Sequence, residues 1–134
     1  MKRYIFSVFA VFAFFFLYEW FVHGFLLMGF YVETASVWRD FTIIASKMPL
    51  AVTLQFLLAL WTTFVFVRFY KEGGIANGLR FGLYFGMFAG ILSASWYLWL
   101  PIPVMLGWSW FLSGVIEGLG AGWILGAIYA RSPS

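Results

Sequence analysis

The sequence predicts an all-α integral membrane protein, folded as a four-helix bundle. Of its 134 residues, 64% are hydrophobic and only 10% are charged, whereas about 25% of the residues in an average globular chain are charged. A soluble domain of this size would leave too much of that apolar surface in water. The apolar residues also form runs of about 20, the length of a helix that crosses a bilayer. Apolar and polar residues do not alternate within these runs, as they do in membrane β-strands.

The first predicted span covers about residues 4–28 of a single transmembrane domain, 1–134. Only Glu19 and His23 interrupt its apolar character. A cleavable signal peptide is the alternative, because Lys2 and Arg3 precede the apolar run. The run is too long for a signal peptide, and no small-residue cleavage site follows it. We therefore expect a retained first helix.

Three further spans follow, and proline marks where they begin or break. The second, about 50–69, starts just after Pro49, which suits a first helical turn because no N–H is needed there. No residue from 81 to 116 is charged, a stretch too long for one crossing. The Pro101-Ile102-Pro103 segment divides it into a third span, about 78–100, and a fourth, about 107–130.

The basic residues predict that both termini are cytoplasmic. With the N-terminus inside, six Lys and Arg residues lie on the cytoplasmic side and two on the other, the bias that sets membrane orientation. The six are Lys2, Arg3, Arg68, Lys71, Arg80 and Arg131, and the two are Arg39 and Lys47. The formal net charge of +3 therefore indicates anchoring, and we expect no nucleic-acid partner.

The first outer loop predicts a short amphipathic helix. Apolar residues fall on one helical face: Val37, Phe41, Ile44 and Met48. Such a helix is typical of the membrane interface. The alternative is that this helix covers the outer end of the helix bundle.

Small residues recur every four positions in both of the last two spans. They are Gly78, Gly82, Gly86, Gly90 and Ala94 in the third, and Gly114, Gly118, Gly122 and Gly126 in the fourth. Small residues let membrane helices approach closely. We therefore expect the third and fourth spans to form a close antiparallel hairpin, a glycine zipper. Docking of one such face on another subunit is the alternative.

Ionisable residues at membrane depth are costly and usually functional. Glu19 and His23 are four residues apart, hence on one helix face, and Glu117 lies in the fourth span. We hypothesise a buried polar cluster of these residues with Ser113 and Gln55, within reach of Thr62. The alternative is a neutral glutamate bonded between helices and a histidine directed to the interface.

No cofactor, metal site or catalytic residue is expected. The chain has no Cys and one His, which excludes a thiolate metal site and a bis-histidine haem within one chain. An aromatic-lined pigment, quinone or haem pocket, the last with His23 as single axial ligand, is the alternative. Most aromatic residues, Trp38 and Trp110 included, are expected at the lipid or the outer interface.

The chain resembles an uncharacterised family of small bacterial four-helix inner-membrane proteins. The residues that carry the resemblance are Trp20, His23, Gly24, Leu26, Tyr31, Thr34, Trp38-Arg39, Gly78 to Gly82, Pro101-Ile102-Pro103, Trp110-Phe111, Glu117, Gly122, Gly126 and Ile128-Tyr129. The resemblance spans nearly the whole chain. It implies the topology and a bacterial inner-membrane location, and it implies no chemistry.

Three function classes remain. We favour an accessory or structural subunit that packs in a larger membrane complex, because the chain has little extramembrane mass and no catalytic motif. A small homo-oligomeric transporter or channel would use Glu117 or Glu19 to couple protons or cations. An enzyme with Glu19 and His23 as acid and base is not expected, since few other polar groups could form a substrate pocket. The partners expected are the lipid bilayer, larger integral subunits or a second copy of the chain.

Overall fold

The computed structural model of the protein describes residues 1–70 and 73–130. Those residues form helices and turns and no strand. Four of the helices are long and apolar enough to cross a membrane, which confirms the all-helical prediction and the number of long apolar helices. Lys71 and Arg131, which entered the orientation count, lie outside the described residues.

Within the described residues, six α-helices follow one another. They are α1 (Lys2–Phe21), α2 (Met28–Glu33), α3 (Phe41–Ser46), α4 (Met48–Phe69), α5 (Ile75–Ser95) and α6 (Val104–Ile128). The membrane-length helices are α1, α4, α5 and α6, and they overlap the four predicted spans. As expected, a proline stands in the first turn of α4, where its missing N–H leaves no bond unmade.

The first span changes its helical geometry before it ends. After Phe21 the chain forms a π-helical turn, Val22–Leu26, in which the Leu27 N–H donates to the Val22 carbonyl at 2.8 Å. A π-turn adds a residue to the helical repeat and is frequent at functional sites. This turn holds His23, and α2 begins directly after it.

The segment between α1 and α4, predicted to be the first outer loop, is not one amphipathic helix. Val37 ends a 3₁₀ turn, Ala35–Val37, and Trp38 has an extended backbone, so the face predicted from Val37 to Met48 is broken. A new helix, α3, starts because the Asp40 carboxylate accepts a hydrogen bond from the Thr42 N–H at 2.8 Å and caps it. The short helix is therefore confined to Phe41–Ser46.

Acidification is expected to loosen the start of α3. Hydrogen bonds from the hydroxyl and the N–H of Thr42 hold the pKa of Asp40 below its ordinary value of 3.8. A lowered pKa means that the cap is complete above pH 3.8 and is lost as the pH falls through the lowered value. Hydrogen exchange at the Thr42 amide should therefore accelerate at low pH relative to its intrinsic rate. In Asp40→Asn, which keeps an acceptor but does not titrate, this pH effect should disappear; its persistence would contradict the assignment.

Helices α5 and α6 pack with their backbones in contact. A Cβ atom built on Gly86 would lie 2.8 Å from the Gly114 carbonyl oxygen, and one on Gly90 would lie 2.5 Å from the Phe111 carbonyl oxygen. The same backbone obstruction meets a Cβ at each of the other six glycines: Gly78, Gly82, Gly114, Gly118, Gly122 and Gly126. Any side chain larger than hydrogen would separate the two helices.

Two clusters of buried side chains occupy opposite ends of the molecule. The first draws on all four long helices and consists of Val11, Phe15, Ala59, Phe66, Phe81, Ala121 and Leu125. The second is formed by Val22, Leu27, Ile102, Leu106 and Trp110. Helix α1 packs against α4 and α6, and the second cluster closes the end at which α1 turns into α2.

The chain ends of α1 and α6 meet at the first cluster's end of the molecule. The guanidinium of Arg3 donates to the Ile128 carbonyl at 2.8 Å and lies 4.7 Å from the centre of the Tyr129 ring. A cation is favourable beside the unpaired carbonyls of a helix C-terminus. This contact places the described residues nearest both termini at the same end of the molecule.

Candidate functional site

A cavity of about 360 Å³ lies between α1, α5 and α6. It is lined by Glu19, His23, Trp38, Ala89, Ser93, Trp96, Leu100, Trp110, Ser113, Gly114 and Glu117. Four of the five residues in the hypothesised polar cluster are in this lining: Glu19, His23, Ser113 and Glu117. The cavity is the candidate site because it joins ionisable groups from two membrane-length helices.

Gln55, the fifth residue of the hypothesised cluster, is not among the lining residues. It is half-buried on α4, a helix that contributes nothing to the wall. Thr62, also on α4, is fully buried, and its hydroxyl has no hydrogen-bond partner among the described residues. The structure therefore separates the polar groups of α4 from the cavity.

The side chains of Glu19 and His23 pair on the cavity wall. The Nε2 atom of His23 lies 3.2 Å from the Glu19 carboxylate, and the two side chains are 36% and 35% exposed. The four-residue spacing brings them onto one helical face. Their partial exposure means that both remain accessible from the cavity.

A chain of hydrogen bonds fixes the orientation of the His23 ring. The Trp110 indole N–H donates to the Tyr31 hydroxyl oxygen at 2.8 Å, and that hydroxyl lies 2.5 Å from His23 Nδ1. Since an indole N–H can only donate, the Tyr31 hydroxyl is free to donate onward to Nδ1. We therefore assign the proton of the neutral ring to Nε2, where it faces the Glu19 carboxylate.

Tyr31 stays protonated in this position. Burial raises the pKa of its hydroxyl above the ordinary value of 10.0, an effect that the hydrogen bond from Trp110 partly offsets and the charge of Glu19 increases. A protonated hydroxyl both accepts from Trp110 and donates to His23. The three side chains consequently form a directed relay that ends at Glu19.

Glu117 lines the cavity from α6 and is not part of the hydrogen-bond relay that ends at Glu19. Within the described residues, the structure pairs Glu19 with His23 and gives the Glu117 carboxyl group no cationic partner. Helix α6 is held to α1 beside it, because the Tyr18 hydroxyl donates to the Ser113 carbonyl at 2.9 Å and accepts from the Ser113 hydroxyl at 3.2 Å. The Glu117 carboxyl group is therefore the one available for a ligand.

Sequence reasoning missed the roles of Tyr31, Trp110 and Tyr18. Trp110 was expected at the lipid interface, but it is only 9% exposed and donates across helices. Tyr31 and Trp110 are 79 positions apart, and no helical or strand periodicity predicts a contact over that separation. Their shared presence with His23 among the residues that carry the family resemblance was the one available indication.

Replacing Tyr31 with Phe should destabilise the end of the protein at which α1 turns into α2. The change removes the hydroxyl that joins Trp110 to His23 and leaves the buried indole N–H unpaired, at a cost of about 1–3 kcal/mol. Denaturant unfolding followed by tryptophan fluorescence measures the loss. Tyr84→Phe removes the same group from a side chain that is 63% exposed and should change stability little; equal losses in the two variants would contradict the relay.

No protein-family model, curated protein or solved structure matches the chain. The family resemblance therefore stays a prediction, and function must be argued from the cavity.

Proposed function

We propose that the chain is a multi-pass protein of the bacterial inner membrane with both termini in the cytoplasm. The four membrane-length helices support a multi-pass arrangement, and the Arg3 contact supports termini on the same side. The described basic residues at the end of the molecule that holds the termini include Lys2, Arg3, Arg68 and Arg80. At the opposite end, the described basic residues include Arg39 and Lys47. This bias favours a cytoplasmic position for the termini.

In this arrangement α5 and α6 act as a glycine zipper within the four-helix bundle, and α3 lies in the outer interface. The backbone approach at the eight glycines supports the zipper, since close packing drives helix association where lipid is as apolar as the side chains. Exposed apolar side chains on α3, Phe41, Ile43 and Ile44, support an interfacial position.

The cavity favours transport as the function. The single observation that carries the proposal is the convergence of Glu19, His23 and Glu117 on one cavity between membrane-length helices. By helical rise, Glu117 lies about 20 Å from the Val104 end of α6, near the middle of the membrane. A carboxyl group there is costly unless it faces a polar path or a ligand. We assign the protein to small homo-oligomeric transporters or channels in which this carboxylate couples protons or cations.

Competition at one carboxyl group is the simplest coupling mechanism. When Glu117 carries a proton, it presents no charge to a cation; when it releases the proton, the carboxylate attracts one. Alternation between these states would exchange protons for cations.

The accessory-subunit function is the second candidate. Helix α4 supports it, since its outer face exposes a continuous apolar strip, Leu50, Leu54, Leu57, Leu58 and Trp61. Such a strip can contact lipid or the helices of a larger subunit. The accessory function leaves the cavity without a role, and for this reason transport is the first candidate.

Proteoliposomes with an acidic lumen test the transport proposal. A trapped pH dye reports whether external cations speed the loss of lumenal protons, with choline, tetramethylammonium, Na⁺ and Mg²⁺ added separately. We expect at least one cation to accelerate the loss relative to protein-free liposomes. Acceleration by none of them would overturn the proposal. Stable co-purification with large integral subunits in mild detergent would then favour the accessory function.

A further inference from the structure

The cavity wall combines two carboxyl groups, which are negative when ionised, with aromatic side chains. Its ionisable residues are Glu19, His23 and Glu117, and Trp38, Trp96 and Trp110 are among the other lining residues. Among the described residues that line the cavity, His23 is the one basic side chain, and neither Lys nor Arg is present. A ligand that balances this charge must therefore be a cation, and one that profits from the rings must present a broad, weakly hydrated surface.

Building on the proposed transport function, we propose that the cavity binds a small organic ammonium cation between the Glu117 carboxylate and the indole rings of Trp38 and Trp96. Ammonium groups are attracted to the faces of aromatic rings, and sites for quaternary ammonium ligands are built from such rings. Three indoles and a carboxylate around one space provide this chemistry.

The size of the cavity supports an organic ion. Its volume, about 360 Å³, lies at the lower end of the range for small-molecule sites. It holds a ligand of roughly ten non-hydrogen atoms, far larger than a bare metal ion. The described residues also contain no group of three or more His, Asp and Glu side chains arranged to hold a metal ion. The cavity thus fits an ion of the size of choline.

Glu117 is the counter-ion because the other ionisable groups are engaged. Glu19 is paired with His23, and His23 is in turn held by Tyr31. The hydroxyl of Ser113 donates to Tyr18. Glu117 has no cationic partner among the described residues, so its carboxyl group is the one left to face a cation.

Protons compete with the cation in this arrangement. The titratable groups around Glu117 are Glu19 and Tyr18 from α1, His23 from the π-turn and Tyr31 from α2, while α5 contributes only Ala89 and Ser93 to the wall. Protonation of Glu117 removes the counter-ion, and protonation of the Glu19–His23 pair adds positive charge to the wall. Both changes oppose a cation, so acidification weakens its binding.

Tryptophan fluorescence of the purified protein tests the proposal. We expect choline to change the fluorescence saturably and 3,3-dimethylbutan-1-ol, in which carbon replaces the charged nitrogen, to bind at least about tenfold more weakly. Glu117→Gln should weaken choline binding by at least about tenfold, because the trimethylammonium group loses the opposite charge that attracts it. Glu33→Gln, which makes the same change at an exposed glutamate of α2, should leave it unchanged. Gel filtration of each variant confirms that it remains folded, and Glu117→Asp, which keeps the charge, should recover part of the affinity.

The outcomes separate this inference from the transport proposal. Equal binding of choline and its neutral analogue, or wild-type affinity in a folded Glu117→Gln variant, overturns the ammonium site. Proton exchange driven by Na⁺ or Mg²⁺ with no response to choline also overturns it, while the transport proposal stands. If no cation binds or drives proton exchange, both fail.

Discussion

Replacing Glu117 with Gln is expected to lower cation-driven proton release from proteoliposomes about ten- to hundredfold. Gln has nearly the same size and can still form hydrogen bonds, but it neither carries a charge nor releases a proton. The attraction between opposite charges 4 Å apart is about 1–4 kcal/mol between the dielectric constants of water and of a protein surface, and every 1.4 kcal/mol is a factor of about ten in affinity. Loss of proton exchange at Glu117 reduces turnover further. The rate of lumenal pH change, normalised to the amount of reconstituted protein, measures the effect.

Glu33→Gln is the matched control for this experiment. It removes one negative charge from α2 at an exposed position that does not line the cavity, and it should transport at the wild-type rate. A Glu117→Gln variant as active as the control would exclude Glu117 from the coupling mechanism. A variant that has lost its fold would be recognised by its gel-filtration profile, and Glu117→Asp then provides the decisive comparison.

Replacing Gly118 with Ala should destabilise the protein by about 1–3 kcal/mol, although Ala is the better helix former. The added Cβ would meet the backbone of Gly86 and the carbonyl oxygen of Gly82 well inside van der Waals contact. Backbone atoms cannot rotate away as a side chain can, so α5 and α6 must separate along their length. Unfolding in mixed detergent, followed by loss of helical circular dichroism or by proteolysis, measures the loss.

Gly29→Ala provides the control for this substitution. Gly29 lies in α2, and nothing stands within 4 Å of a Cβ atom built on it. Stability should be unchanged or slightly higher, since Ala costs less conformational entropy in a helix than Gly. If both variants lose stability equally, the cost would come from the helices themselves and the backbone contact would be irrelevant.

The long helices could be predicted because their causes are local. A run of apolar residues specifies a span by its length, and the segment from Pro101 to Pro103 separates α5 from α6 by removing backbone donors. The four-residue glycine spacing is likewise visible in the sequence. The π-turn and the break at Trp38 could not be predicted, because they depend on how α2 packs against the π-turn and α6.

The candidate site was only partly predictable for a related reason. Glu19, His23 and Glu117 are conspicuous because ionisable residues are rare at membrane depth. Tyr31 and Trp110 carry ordinary aromatic side chains, whose polar atoms become important only where the fold brings them to His23. Gln55 was included because it is polar, but the position of α4 in the fold keeps it away from the cavity.

The contacts between the ends of the chain impose an order on the protein's synthesis. A polypeptide leaves the ribosome N-terminus first, so α5 and α6 can pair as soon as both have emerged. The bonds from Tyr18 to Ser113 and from Arg3 to Ile128 join residues 95 and 125 positions apart. These two contacts can form only after α6 has been synthesised. Until α6 has been made and has packed, Glu19 and His23 lack the wall that Glu117 completes, and a ribosome stalled before α6 would hold a chain that cannot form the cavity.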